Sequence, residues 1–261
     1  MKVCIKKVYN SSFLIVLMKE TGEIINRLQE KSNQELASKY KSYLKSPFEF
    51  YGLRVPELRK IAKKYQNLEL SEIYDLFDEL WNSGNHEEKS IAIFLLSSKE
   101  KQFDYETWKF AISKVKDIKT WDHCDAISSW VLGKMLAENI TLKKDVENLA
   151  ESKNPWERRA AIISTGQLIK ERKLELTFKL AEKLIYDEDV YVQKGAGWML
   201  REAGKRERLA VKDFILMHLD MKAYAFSYAT EKMKELRKIK KQKEKVNEEE
   251  KKSQKKNENS K

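Results

Sequence analysis

From Lys19 to Lys240, apolar residues return to one face every three or four positions with almost no interruption. That period belongs to the helix and not to the strand. The 261 residues include 8 Gly and 3 Pro, which leaves little material for tight hairpin turns. The abundance of Ala, Leu, Ile, Lys and Glu also favours helix. The spacing predicts helices over 19–31, 34–45, 56–65, 72–82, 86–98, 104–115, 120–137, 142–151, 155–171, 174–186, 189–203, 207–219 and 223–240. Several boundaries carry their own signals. Pro56 sits in a first turn, and Asn154 followed by Pro155 is a favoured N-cap and N1 pair. Asn85 precedes Glu88 by three residues, as in a capping box, and Gly204 closes a helix.

Short loops between helices of this length point to antiparallel pairs. Trp121, Trp156 and Trp198 recur at intervals close to a two-helix period. The expected fold is all-α, an α-solenoid of stacked antiparallel HEAT-like helix pairs, each burying its neighbour's face and together leaving one concave surface. An ordinary helical bundle fits the same periodicity.

The net charge of +11 is unevenly placed. Residues 231–261 carry +6 and residues 1–17 carry +3, which leaves +2 on the body between them. A nucleic-acid partner would therefore have to meet a basic face on a nearly neutral body. The apolar run from Phe13 to Met18 is too short to span a membrane, and no small-residue cleavage site follows it. Met18 is an alternative start, so residues 1–17 are read as an extension, 18–240 as a single helical-repeat domain, and 241–261 as a charged tail, helical at first and then disordered. Cys4 and Cys124 are too few for a disulfide framework or a thiolate zinc site, and they suit a reducing, cytoplasmic setting. His86, His123 and His218 show no metal-ligand spacing.

In "TWDHCDAISSW", Trp121 and Asp125 are four apart and share a helical face, with no Lys or Arg within a turn to pair the carboxylate. Trp156 and Arg159 are three apart at another helix start. In "VQKGAGWMLREAGK", Lys194, Trp198, Arg201 and Lys205 form a basic stripe with an aromatic in it, beside Gly195 and Gly197. Two glycines inside one helix cost roughly 1 kcal/mol each against alanine, so they point to close approach of a helix or a ligand. Each feature also has a plainer reading: the tryptophans as core, Asp125 as the ion-pair partner of Arg159, the stripe as a solvated face, and Cys124 as a small core residue. His123 is next to Asp125 in sequence but points elsewhere on the helix.

Taken together, four segments resemble the AlkD-type DNA alkylation repair family of HEAT-like DNA glycosylases. "YKSYLKSPFEFYGLRVPELRKIAK" is similar to the family's early signature, and "TWDHCDAI" to its W-D-x-x-D segment. "NPWERRAAII" is similar to its W-x-x-R-A-A-I segment, and "VQKGAGWMLREAGK" to its F-x-Q-K-x-x-G-W-x-L-R-E segment. The resemblance covers about residues 35–230 and implies a concave basic groove that holds duplex DNA by its backbone. It implies that Asp125 is the catalytic carboxylate, that Arg159 works beside it, and that Trp121 and Trp198 are aromatic walls of the lesion site. It places Tyr43 near the nucleotide and Arg54 near the DNA, and it makes Arg201 a backbone contact. The basic stripe adds Lys194 and Lys205 as phosphate contacts. The family often has a bulky apolar residue where Gly195 or Ala196 stands, and "MKAYAFSYATEKMK" matches its last helix only loosely.

The activity implied is hydrolysis of the N-glycosidic bond of cationic N3- or N7-alkylated purines in double-stranded DNA, leaving an abasic site, by a monomeric, monofunctional glycosylase with no metal and no organic cofactor. A cationic purine leaves without a strong acid. One fixed anion can stabilise the oxocarbenium-like sugar and orient water, while tryptophan faces favour a positively charged base. The alternatives are a non-catalytic HEAT-type protein that binds distorted or damaged DNA, and a protein–protein scaffold.

Overall fold

The computed structural model describes the backbone of residues 11–258, and side chains within 18–246 and at 249. The expected extension 1–17 lies outside the described side chains, and its first ten residues lie outside the described backbone. Contacts gather into two compact units within the stretch read as one domain, one ending at Val131 and the other beginning at Leu132.

The first unit contains α1 (Ser11–Glu30), α2 (Gln34–Leu44), α3 (Val55–Lys63), α4 (Leu70–Trp81), α5 (His86–Ser97), α6 (Tyr105–Val115) and α7 (Trp121–Ile127). Side-chain caps start several of them. Asn33 Oδ1 accepts from Leu36 N at 3.0 Å, Asn85 Oδ1 from Glu87 N at 2.9 Å, and Asp104 Oδ1 from Thr107 N at 2.9 Å. Helix α5 packs against α3, α4 and α7. Every residue from His86 to Leu96 is buried, so α5 has no single apolar stripe and serves as the unit's centre. Ile73, Leu76, Phe77 and Leu80 of α4, Ile24 and Leu28 of α1, and Trp108 of α6 are fully buried in the same core.

A π-helical turn, Ser128–Leu132, follows α7. The second unit contains α8 (Gly133–Glu138), α9 (Lys143–Ala150), α10 (Pro155–Ser164), α11 (Gly166–Lys170), α12 (Glu175–Leu184), α13 (Val190–Gly204), α14 (Arg208–Met217), α15 (Ala223–Ala229) and α16 (Lys234–Glu258). Here α13 is central, touching α10, α11, α12, α14 and α15. Asn154 Oδ1 caps α10 at Trp156 N, 3.0 Å away, with Pro155 in the first turn. Asp189 Oδ1 caps α13 at Tyr191 N and Val192 N, at 2.8 and 3.1 Å.

Within each unit the helices stack as pairs, and the polar contacts between successive pairs show the repeat. Tyr74 meets Thr107, Lys114 meets Asp78, and Ser90 meets His123, at sequence separations of 33, 36 and 33 residues. In the second unit Lys179 meets Glu147, Lys183 meets Glu151, and Lys222 meets Glu188, at separations of 32, 32 and 34. No helix among the described residues is long and apolar enough to cross a membrane.

Three expected helices are divided. The π turn interrupts the helix expected over 120–137. The segments expected over 155–171 and 223–240 break at Thr165 and after Ala229. At both breaks a threonine hydroxyl turns back on a carbonyl of its own helix, Thr165 Oγ1 on Ile162 O and Thr230 Oγ1 on Phe226 O, each at 2.7 Å. Such bonds compete with the regular backbone ladder. The charged tail read as helical at first continues α16 from 241 through Glu258. Lys, Glu and Gln have high helix propensity, so this stretch can be helical without a core. The side chains of 241–246 are all exposed, and Leu236 is the last fully buried one.

Candidate nucleic-acid interface and catalytic site

In the first unit, α7 begins at Trp121 and places Asp125 one turn later on the same face, both side chains half-buried. Cys124 and Ile127 turn the other way into the core, at 0% and 1% exposure. Tyr43 of α2 stands edge-on to Trp121, with ring centroids 6.0 Å apart and an 81° angle between planes. Tyr43 is 71% exposed. An edge-to-face pair beside a carboxylate can receive a flat, electron-poor group.

The first turn of α7 is held from below by groups the sequence reading did not assign. His123 is buried, with Nε2 3.0 Å from Ser90 Oγ and Nδ1 3.1 Å from Thr120 Oγ1. Its ring stacks on His86 at 4.0 Å, and His86 stacks in turn on Phe50 at 4.5 Å. His86 Nε2 lies 2.9 Å from Asp122 Oδ2, close enough for an ion pair but not aligned as a hydrogen bond. Burial opposes ionisation of Asp122, yet the neighbouring His123 and His86 and a bond from Thr120 hold its carboxyl well below the usual carboxylate range. Burial, with His86 close by, pushes His123 down to about 3, so its ring is neutral near pH 7.

One group among the described residues has metal-compatible donors close together. His86, Asp122 and His123 each bring a ligand atom to within 4.8 Å of the others. The two rings are nearly parallel, 23° apart, so their in-plane lone pairs do not converge on one point. Both nitrogens of His123 are also engaged by hydroxyls. The group fits a packed structural stack better than a metal centre.

Arg54 is exposed at the N-cap of α3, where its backbone N–H donates to Glu57 Oε2 at 3.0 Å. The loop before it is anchored by Glu87, which is 1% exposed. That carboxylate accepts from the backbone N–H groups of Tyr51, Gly52 and Leu53, at 3.2, 2.7 and 3.2 Å. Glu88 accepts from Tyr51 Oη at 2.7 Å. Charge-assisted bonds to three successive amides give the "YGLR" segment a fixed path, and with it the base of Arg54.

In the second unit, Arg159 of α10 is 5% exposed and donates to the Tyr191 carbonyl. A Cβ at Gly195 would lie 3.1 Å from Arg159 Nη1 and 3.4 Å from its Cγ, so the missing side chain makes room for the arginine. A Cβ at Gly197 would meet Ala225 O at 2.4 Å and Tyr228 Cβ at 2.7 Å, so this glycine lets α13 and α15 touch. The expectation of close approach at both glycines is met, by a side chain at one and a helix at the other. Next to Arg159, Arg158 grips Asp187 at 2.6 and 2.9 Å and stitches α10 to the loop before α13.

The basic stripe on α13 is already engaged. Lys194 rests over Tyr224 and Tyr191, 4.9 and 5.6 Å from their ring centroids. Trp198 is half-buried, and its Nε1 donates to Glu202 Oε1 at 3.2 Å. Lys205 pairs with Glu202 at 2.6 Å, and Arg201 pairs with Glu231 and Glu202. Glu202 is partly buried, which raises its pKa, but Lys205, Trp198 and Arg201 together bring it below the ordinary value. A phosphate arriving at Arg201 or Lys205 would exchange places with these carboxylates. Tyr43, Trp121, Asp125 and Arg54 thus belong to the first unit, and Arg159, Lys194, Trp198, Arg201 and Lys205 to the second.

A family model described as "DNA alkylation repair enzyme" matches residues 24–233. A solved structure described as a predicted DNA alkylation repair enzyme from Enterococcus faecalis is similar to this chain, with a TM-score of 0.69 and 21% identity. The match covers 77% of this chain and 96% of that one. No curated protein matches.

Proposed function

The chain belongs to the DNA alkylation repair enzyme family, and we propose that it is a monofunctional glycosylase that hydrolyses the N-glycosidic bond of cationic N3- or N7-alkylated purines in duplex DNA. It would act as a monomer, in the cytoplasm, and leave an abasic site. The observation that carries this reading is the pairing of exposed Tyr43 with Trp121, one turn from Asp125 on the same face of α7.

In this reading the alkylpurine leaves with the bonding electrons of its glycosidic bond, which cancel its positive charge. The sugar becomes oxocarbenium-like, and the Asp125 carboxylate stabilises that charge. Water held by the same carboxylate adds to the anomeric carbon, and its proton passes to Asp125 and then to solvent. Trp121 offers its face to the cationic nucleotide, and cation–π attraction supplies roughly 0.5–2 kcal/mol for such a contact. Tyr43 braces Trp121 and extends the aromatic surface. The burial of Arg159 favours an orienting role over a grip on phosphate. Arg54, Lys194, Arg201 and Lys205 are assigned to the DNA backbone, which makes binding salt-dependent.

The test is release of free base from duplex containing 7-methylguanine, comparing wild type with Asp125→Asn at equal concentration. Release by wild type and near-complete loss in the variant is expected. If both bind duplex and neither releases base, the non-catalytic reading replaces this one for that lesion.

A further inference from the structure

A pocket of about 280 Å³ opens in the first unit beside α3 and the end of α5, lined by Arg59, Lys63, Gln66, Phe94 and Ser97 among others. Arg59 is held there in an unusual way. Its guanidinium carbon lies 4.5 Å from the Phe94 ring centroid and 4.9 Å from that of Trp130. Elsewhere Arg158, Arg172, Arg201 and Arg208 are held by carboxylates. Arg59 has no such partner among the described residues, and no carboxylate lines the pocket.

The two rings also touch each other, with centroids 5.6 Å apart, so both meet the guanidinium from one side, and no carboxylate of the pocket lining claims its N–H groups. The two aromatic contacts restrict a flexible side chain before any ligand arrives. Lys63, one helical turn after Arg59, adds a second cation, and Gln66 adds an amide donor. The serines at the end of α5 already donate to their own helix, Ser97 to Phe94 O and Ser98 to Leu95 O, so the donors offered to a ligand are those of Arg59, Lys63 and Gln66. A pre-oriented fork, a nearby ammonium and no acid form a site for a tetrahedral oxyanion.

We propose that this pocket seats a phosphate group, with Arg59 as the fork that grips two of its oxygens and Lys63 as the supporting charge. Resting on the duplex-binding reading above, the source is a DNA backbone phosphate, which gives the first unit a contact separate from Tyr43, Trp121 and Asp125. A free phosphate group is the other source of the same chemistry.

The experiment uses the full chain and a fluorescein-labelled undamaged duplex, with anisotropy read over a salt series for wild type, Arg59→Gln, Arg59→Lys and Lys63→Gln. For a backbone phosphate, Arg59→Gln makes the slope of log K against log salt shallower by about 0.9 and weakens binding alike on all sequences. Arg59→Lys keeps the slope but binds less tightly, because an ammonium cannot fork. Lys63→Gln, a change at an exposed position, also makes the slope shallower. In parallel, inorganic phosphate is titrated calorimetrically into wild type and Arg59→Gln. Unchanged slopes with phosphate binding that is lost in Arg59→Gln support the pocket with free phosphate as its source. Unchanged slopes with no phosphate binding, in variants that melt like wild type, overturn it. A wild type that binds undamaged duplex yet releases no 7-methylguanine defeats the glycosylase reading and leaves this inference standing.

Discussion

Gly195 and Gly197 lie two residues apart on α13 and answer to different neighbours, so the same substitution should do different things at each. An alanine at Gly197 drives its Cβ into the Ala225 carbonyl and the base of Tyr228, both nearer than any real contact allows. Overpacking of this kind costs about 1–3 kcal/mol, and a lower midpoint in urea unfolding is expected. An alanine at Gly195 touches Ile162 Cγ2 at an ordinary 3.5 Å and crowds the Arg159 side chain, whose Nη1 at 3.1 Å must give by a few tenths of an ångström. Its helix propensity gain of roughly 1 kcal/mol offsets that crowding, so stability should hold while single-turnover base release falls several-fold as the guanidinium shifts. A Gly195→Ala protein with wild-type release would show that the seating of Arg159 does not matter to the chemistry. His123 makes a separate forecast about pH. Its folded pKa is depressed, so the unfolded chain takes a proton that the folded one refuses until about pH 3. Stability therefore drops as pH falls from about 6.5 towards 3, by up to roughly 1.4 kcal/mol per pH unit from this group. Asp122, held ionised, adds to the loss only below the ordinary carboxylate range. Urea unfolding between pH 4 and 7 should show that slope in wild type and a flatter one in His123→Gln.

At the level of elements, Glu87 shows how one buried carboxylate shapes a loop far from it in sequence. Its three backbone partners lie 34 to 36 residues upstream. Glu87→Ala leaves those amides without their acceptor, and a loss of about 3 kcal/mol in unfolding free energy is expected. The same residue marks the limit of what could be read without coordinates. Helix positions were legible because their signals are local: the apolar period, Asn85 and Asn154 as caps, Pro155 at the start of α10. The glycines of α13 were legible as places of close approach, but not the identity of what approaches. The π turn after α7 was not legible, since one extra residue in a turn leaves no mark on an apolar period. Nor were the partners of Glu87, His86, Arg158 and Arg59. Each is chosen by a neighbour about one helix pair away or by an aromatic on another helix, and no spacing rule within a single helix encodes that choice. For the site, Trp121 and Asp125 could be placed on one face from their interval of four. The brace supplied by Tyr43, and the acids already occupying Arg201 and Lys205, required the fold.

For the whole chain, charge and repeat lead to separate expectations. Positive charge is concentrated in residues 231–261, a stretch that includes α16 (Lys234–Glu258), whose described side chains from 241 to 246 are all exposed. Deleting 241–261 should leave thermal stability close to wild type, because Leu236 is the last fully buried side chain. The deletion should also make the salt dependence of duplex binding shallower, and an unchanged slope would mean that this helix does not touch DNA. The stacking of pairs has a further consequence for how the chain comes to its fold. Contacts between successive pairs close loops of about one repeat, with separations such as 32, 33 and 36 residues. The entropic cost of closing a loop grows with its length, and chains dominated by short-range closures fold quickly. Each pair of helices completes its partnerships once the next pair has left the ribosome, so the protein can take shape from its N-terminal end while synthesis of the rest is still under way.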